Sequence, residues 1–117
     1  MVERTERDIS EIMKAASDPS RRAILTLLAQ AGPTRVSEIA ARFAISLNAV
    51  SKHIKVLESA GLVSRTTLWR EHLIEVQLGP LSAVDAWFKS LRSIWDLRLE
   101  ALADILERKT DERHDPG

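Results

Sequence analysis

Residues 46–63, SLNAVSKHIKVLESAGLV, decide the fold. Val50, Ile54 and Leu57 recur at helical spacing and define one buried stripe over Leu47 to Ala60. Ser46 stands where an N-cap belongs, and Gly61 where a left-handed residue ends a helix. Opposite the stripe lie Asn48, Ser51, Lys52, His53 and Lys55, all able to donate hydrogen bonds.

Upstream, Thr34 is a plausible cap for a short helix from about Arg35 to Ala44. Its face is Val36, Ile39, Ala40 and Phe43, at i, i+3, i+4 and i+7. Ile45-Ser46 is then the turn between two short helices. Before them, Asp18-Pro19 stops one helix and starts another. Asp18 suits an N-cap, and Pro19 suits the first turn, where its missing N–H costs nothing. The earlier helix spans about Arg7 to Ser17, with Ile9, Ile12, Met13 and Ala16 on one face. The later spans Pro19 to about Ala31, with Ile24, Leu25, Leu27 and Leu28, and ends at Gly32-Pro33.

Downstream the period changes. Leu62 to Leu78 is rich in strand formers, and Ile74, Val76 and Leu78 alternate with Glu75 and Gln77. The segment reads as a hairpin with its tip at Arg70-Glu71, closed by Gly79-Pro80. Trp69 either anchors the hairpin on the core or sits at a contact surface. From Pro80 to about Arg108 one long helix carries Leu81, Val84, Phe88, Leu91, Trp95, Leu102 and Ile105, broken at Arg98 and widened by Trp87, Ile94, Leu99 and Leu106. A domain of this size does not cover so long an apolar face, so a partner helix is expected, most simply that of a second subunit. Core and interface packing explains Trp87, Phe88 and Trp95 better than a small-molecule pocket does.

The expected architecture is mainly α with a β-hairpin wing, in the order α-α-α-α-β-β-α. Residues 1–108 form one folded domain, and 109–117 a flexible polar tail. The chain of 117 residues has zero formal net charge, unpromising for a nucleic-acid binder until its distribution is read. Residues 35–72 hold six basic side chains against three acids, and 73–117 hold six against nine. A basic centre suits local docking on phosphate. A helix bearing Asn48, Ser51, Lys52, His53 and Lys55 fits the major groove, where asparagine can pair with adenine. Arg65 and Arg70 on the wing can reach phosphates or the minor groove. Without that context the same residues would pass for a solvated helix face. A winged-helix module that binds protein instead of DNA is the alternative, motivated by the net charge.

Four fragments together resemble one family: Asp18 to Leu25 (DPSRRAIL), Val36 to Ala40 (VSEIA), Val50 to Leu57 (VSKHIKVL) and Ala60 to Val63 (AGLV). The chain resembles the ArsR/SmtB family of bacterial winged-helix repressors over about residues 9 to 78. The resemblance implies a winged helix-turn-helix homodimer joined through its first and last helices, with Ile9, Ile12, Val84, Trp87, Phe88, Leu91, Trp95 and Leu102 at the interface. It implies binding to a promoter or operator in double-stranded DNA, blocking transcription. It places Ser46, Asn48, Ser51, Lys52, His53 and Lys55 on the recognition helix. Metal-sensing members carry a cysteine pair around the positions of Val36 to Ala40, and this chain has no cysteine. Others use Asp and His on the last helix. Asp85 and Asp96 are present, but no histidine falls between Pro80 and Arg108. His53, His72 and His114 lie on recognition helix, wing and tail. The resemblance is therefore to a metal-independent branch, with no metal site and no cofactor. It leaves room for a small-molecule inducer, whose identity no residue specifies.

Other classes fit poorly. The four glycines are isolated at 32, 61, 79 and 117, so there is no phosphate-cradling loop, and no nucleophile sits in a glycine elbow. No enzyme and no catalytic residue is expected. The start, Met1 to Arg4, is charged and no apolar run spans a bilayer, so a cytoplasmic protein with no membrane partner is expected.

Overall fold

The computed structural model describes residues 2–114, and the side chains of residues 8–110. In chain order the elements are α1 (Val2–Ala16), α2 (Pro19–Ala31), β1 (Thr34–Arg35), α3 (Val36–Phe43), α4 (Leu47–Ser59), β2 (Val63–Leu68), β3 (Glu71–Val76) and α5 (Leu81–His114). The four helices, the hairpin and the long last helix stand where the sequence puts them. The strand Thr34–Arg35 is an addition. The chain divides into two compact units, after Val84.

In the first unit one core gathers a few residues from each of α1 to α4 and from the hairpin. Ile12 and Ala15 come from α1, Ile24, Leu27 and Leu28 from α2, and Ile39 and Ala40 from α3. Val50, Ile54 and Leu57 come from α4, and Leu62, Val63 and Ile74 from the wing. Burying a Leu or Ile side chain contributes about 1.5–3 kcal/mol, so these thirteen residues dominate the stability of the unit. Ile12 is expected at a dimer interface but lies in the protomer's own core. Val84 also packs against that core, while Ile9 is half-buried. A helical apolar face does not say whether the surface it meets belongs to the same chain.

The corner between α1 and α2 is built from polar groups. Asp18 caps α2, its Oδ2 accepting from the Arg21 N–H at 3.0 Å. Arg21 turns back to donate from Nε to the Ala15 carbonyl at 2.6 Å and from Nη2 to that of Lys14 at 3.2 Å. Arg22 donates to the Ala16 carbonyl at 2.7 Å. Two guanidinium groups thus cover carbonyls left open at the end of α1, where the helix dipole favours positive charge.

The Arg21 N–H holds the Asp18 carboxyl below its ordinary 3.8, against some desolvation, with the charges of Arg21 and His53 adding to the depression. A carboxylate favoured in the folded state gives stability that is present above its unfolded pKa and lost as pH falls through the folded one. Asp18→Asn keeps an acceptor and loses the charge. Its unfolding midpoint should lie below wild type near pH 7, and the gap should close as pH drops below about 4. Thermal melts across acid pH check this, and a gap independent of pH would refute it.

Three corrections concern the sheet. Thr34 does not cap α3. It pairs with Ile74 as part of a third, antiparallel strand, the order being β1-β3-β2. Its hydroxyl donates to the Gly32 carbonyl at 2.8 Å, and the N-cap position of α3 falls to Arg35, with no side-chain bond. Leu78 lies beyond the strand and is exposed, because β3 ends at Val76. The hairpin tip is Trp69-Arg70, not Arg70-Glu71: Leu68 pairs directly with Glu71.

α5 has 34 residues, about 51 Å at 1.5 Å per residue. It runs to His114, so most of the segment 109–117 read as a tail is helix, and a histidine does fall on the last helix. Residues 115–117 lie outside the described residues. α1 likewise begins at Val2, ahead of the expected Arg7. No helix among the described residues is long and apolar enough to cross a membrane.

Candidate nucleic-acid interface

The turn between α3 and α4 sets the site. α3 stops at Ala44, which takes a left-handed φ of 54° and returns its N–H to the Ala40 and Ala41 carbonyls. The Ile45 N–H also bonds the Ala40 carbonyl, at 3.1 Å. Three residues later the chain is helical again. Ser46 is extended, and its Oγ accepts from the Ala49 N–H at 3.1 Å.

Behind α4, Val50, Ile54 and Leu57 have no exposed surface. In front, Asn48, Lys52 and Lys55 are exposed. At about 100° per residue these three fall within an arc of roughly 60°, and Ser51, half-buried, adjoins it. The core positions lie on the opposite side. His53 does not join the arc. It sits on the far flank, half-buried, within electrostatic reach of Asp18 at the α1–α2 corner. Ser46 is exposed at the helix start, its oxygen already serving as the cap.

The cations divide into tied and free. Arg65 on β2 bonds Glu58 on α4 at 2.9 Å, with both side chains half-buried. It fastens the wing to α4, so its guanidinium is engaged within the fold. Arg35 pairs with Glu71 at 2.8 Å across β1 and β3. Among the described residues Lys52, Lys55 and Arg70 take no ion pair. Among the described residues of the helix-turn-helix and wing, these and the exposed Arg42 of α3 are therefore the cations open to an external anion. The expected wing pair thus splits, Arg65 structural and Arg70 exposed at the tip. Sequence reading missed the Arg65–Glu58 bond because it joins a strand to a helix seven positions earlier. Only the packed wing brings the two together.

On α5, ten large apolar side chains between Trp87 and Leu106 are between 43% and 66% exposed. Counted at about 100° each, all but Leu97 fall within an arc of roughly 140°, with Arg98 in the gap. Trp87 and Phe88 touch with ring centroids 4.9 Å apart.

A helix-turn-helix domain family matches residues 16–66, which include the three-residue turn and the whole of α4. The chain is 31% identical over 108 residues to the HTH-type transcriptional regulator Rv2034 of Mycobacterium tuberculosis, covering 92% of this chain and 97% of that protein. An ArsR-like transcriptional regulator from Rhodococcus sp. RHA1 superposes with a TM-score of 0.75 at 30% identity, over 86% of this chain and 94% of that one. The chain belongs to the ArsR family. As an ArsR-family winged helix-turn-helix protein it is a DNA-binding transcriptional regulator. A third ArsR-fold relative, a homodimeric winged helix-turn-helix DNA-binding domain from Mycobacterium bovis, superposes with a TM-score of 0.58. It is 26% identical, over 77% of this chain and 80% of that one.

Proposed function

We propose that this ArsR-family regulator is a homodimeric repressor acting in the cytoplasm. In this reading it lays α4 of each protomer into successive major grooves of a two-fold symmetric operator. The observation that carries the reading is the exposed arc of Asn48, Lys52 and Lys55 on a capped helix, its cations without ion pairs among the described residues and its back locked in the core. Asn48 supplies the planar amide that discriminates adenine, and Lys52 and Lys55 hold phosphates or guanine edges. Arg70 adds a phosphate contact from the wing. The apolar arc of α5 is covered by its symmetry mate, which the homodimeric relative supports. With dyad-related α4 helices about 34–36 Å apart, both read one face of the duplex. A dimer seated there would exclude polymerase from an overlapping promoter. The VSEIA segment of α3 has no cysteine, which favours an inducer other than a thiolate-bound metal.

Footprinting on duplexes enriched from a randomised library tests the proposal. Protection should show two half-sites about one helical turn apart and related by a dyad. A single unpaired half-site, or protection without symmetry, would contradict it.

A further inference from the structure

The wing tip breaks a local rule. Leu68 and Glu71 pair directly, leaving Trp69 and Arg70 as a two-residue turn. Trp69 has φ +60°, and Arg70 does not share the positive sign. A positive φ at the first central position only is the pattern that glycine serves best in hairpins, and a bulky residue is an outlier there. The indole gains nothing from the fold in return, since it is 98% exposed. Leu68 beside it is also exposed. A large apolar side chain that is both strained and solvated points to a role outside the protomer.

We infer that Trp69 is an apolar wedge that seats in the minor groove flanking each half-site, with Arg70 on the neighbouring phosphate. The inference rests on the DNA-binding reading above and deepens it. Two observations choose DNA over another protein. First, the Arg65–Glu58 bond registers the wing on α4. Trp69 lies four residues beyond Arg65, about 13 Å along the strand at 3.3 Å per residue. That reach approaches half a helical turn of DNA, where the minor groove follows the major groove that α4 occupies. Second, the tip is not uniformly apolar. Arg70 adjoins the indole as a cation with no ion pair among the described residues, which suits a groove walled by phosphates. A wedge presses on sugars and base steps and so reads deformability, a preference α4 does not supply.

The test uses wild type, Trp69→Gly, Trp69→Phe and Arg70→Ala, with duplexes that wild type enriches from a randomised library. Trp69→Gly should lose affinity on the order of ten-fold with an unchanged salt slope, since no charge is removed. Trp69→Phe should recover most of the loss. Arg70→Ala should instead flatten the slope by about two phosphates' worth, one from the wing of each protomer. Wild type should prefer flexible TA or CA steps under the wing, and Trp69→Gly should be indifferent to them. Because glycine relieves the turn, its unfolding midpoint should be no lower than wild type. Unchanged affinity in Trp69→Gly would overturn the wedge and assign the indole to a protein contact. A lowered midpoint would overturn it by making Trp69 part of the fold. Failure of wild type to enrich any duplex would remove the DNA reading itself, and the wedge with it.

Discussion

A Leu91→Glu, Trp95→Glu double variant should be a monomer in sedimentation equilibrium and should lose operator affinity by a thousand-fold or more. Both side chains lie in the apolar arc of α5 and neither belongs to the core of the first unit. The variant therefore removes association while leaving that core intact, which circular dichroism verifies. The size of the effect follows from symmetry. Specific operators are held at roughly 10⁻⁸–10⁻¹¹ M, about 11–15 kcal/mol. If each recognition helix supplies half of this, a lone protomer retains about 5–8 kcal/mol, a dissociation constant of about 10⁻⁴ to 10⁻⁶ M. Two glutamates brought together with their symmetry mates in an apolar seam face both desolvation and repulsion. Persistence of the dimer would remove α5 from the interface. A monomer with undiminished affinity would remove the need for two half-sites.

The second large effect is at Lys52 and Lys55. Replacing both with alanine should weaken binding to every duplex, enriched or random, on the order of ten- to a hundred-fold at low salt. The logarithmic salt slope should become shallower by about 0.9 for each phosphate no longer neutralised, or close to four for two lysines acting in both protomers. Stability should barely change, because both side chains are exposed and take no ion pair among the described residues. Asn48→Ala should behave differently, costing about 1–3 kcal/mol against the preferred base and leaving the slope alone. Weaker binding with an unaltered slope in the double-lysine variant would show that the lysines do not meet phosphate.

Much of the fold is legible in the sequence. Asp18, Pro19, Ser46 and Gly61 are local signals, and a cap or a left-handed stop acts within a few residues. The helices they bound therefore fall where expected. What is not legible depends on distant pairing. β1 is two residues long, too short for any period, and exists only because β3 offers it an edge. The turn at Trp69-Arg70 lacks glycine or asparagine, so its register comes from the ladder between Val63 and Val76 inward and not from the tip. The same limit governs the site. Asn48, Lys52 and Lys55 follow from helical period alone. The assignment of Arg65 to Glu58, of His53 to the flank near Asp18, and of Ile12 to the protomer core all require knowing which surface each helix meets.

The two sides of α4 have one further consequence. Val50, Ile54 and Leu57 are sealed in the core, while Asn48, Lys52 and Lys55 face solvent and take no part in it. The residues proposed to choose a DNA sequence and those that keep the helix seated are interleaved along thirteen positions yet physically uncoupled. On the proposed reading, substitutions on the outer arc would change the target with little effect on folding, so a duplicated copy of such a chain could drift toward new promoters one base at a time without passing through an unstable ancestor.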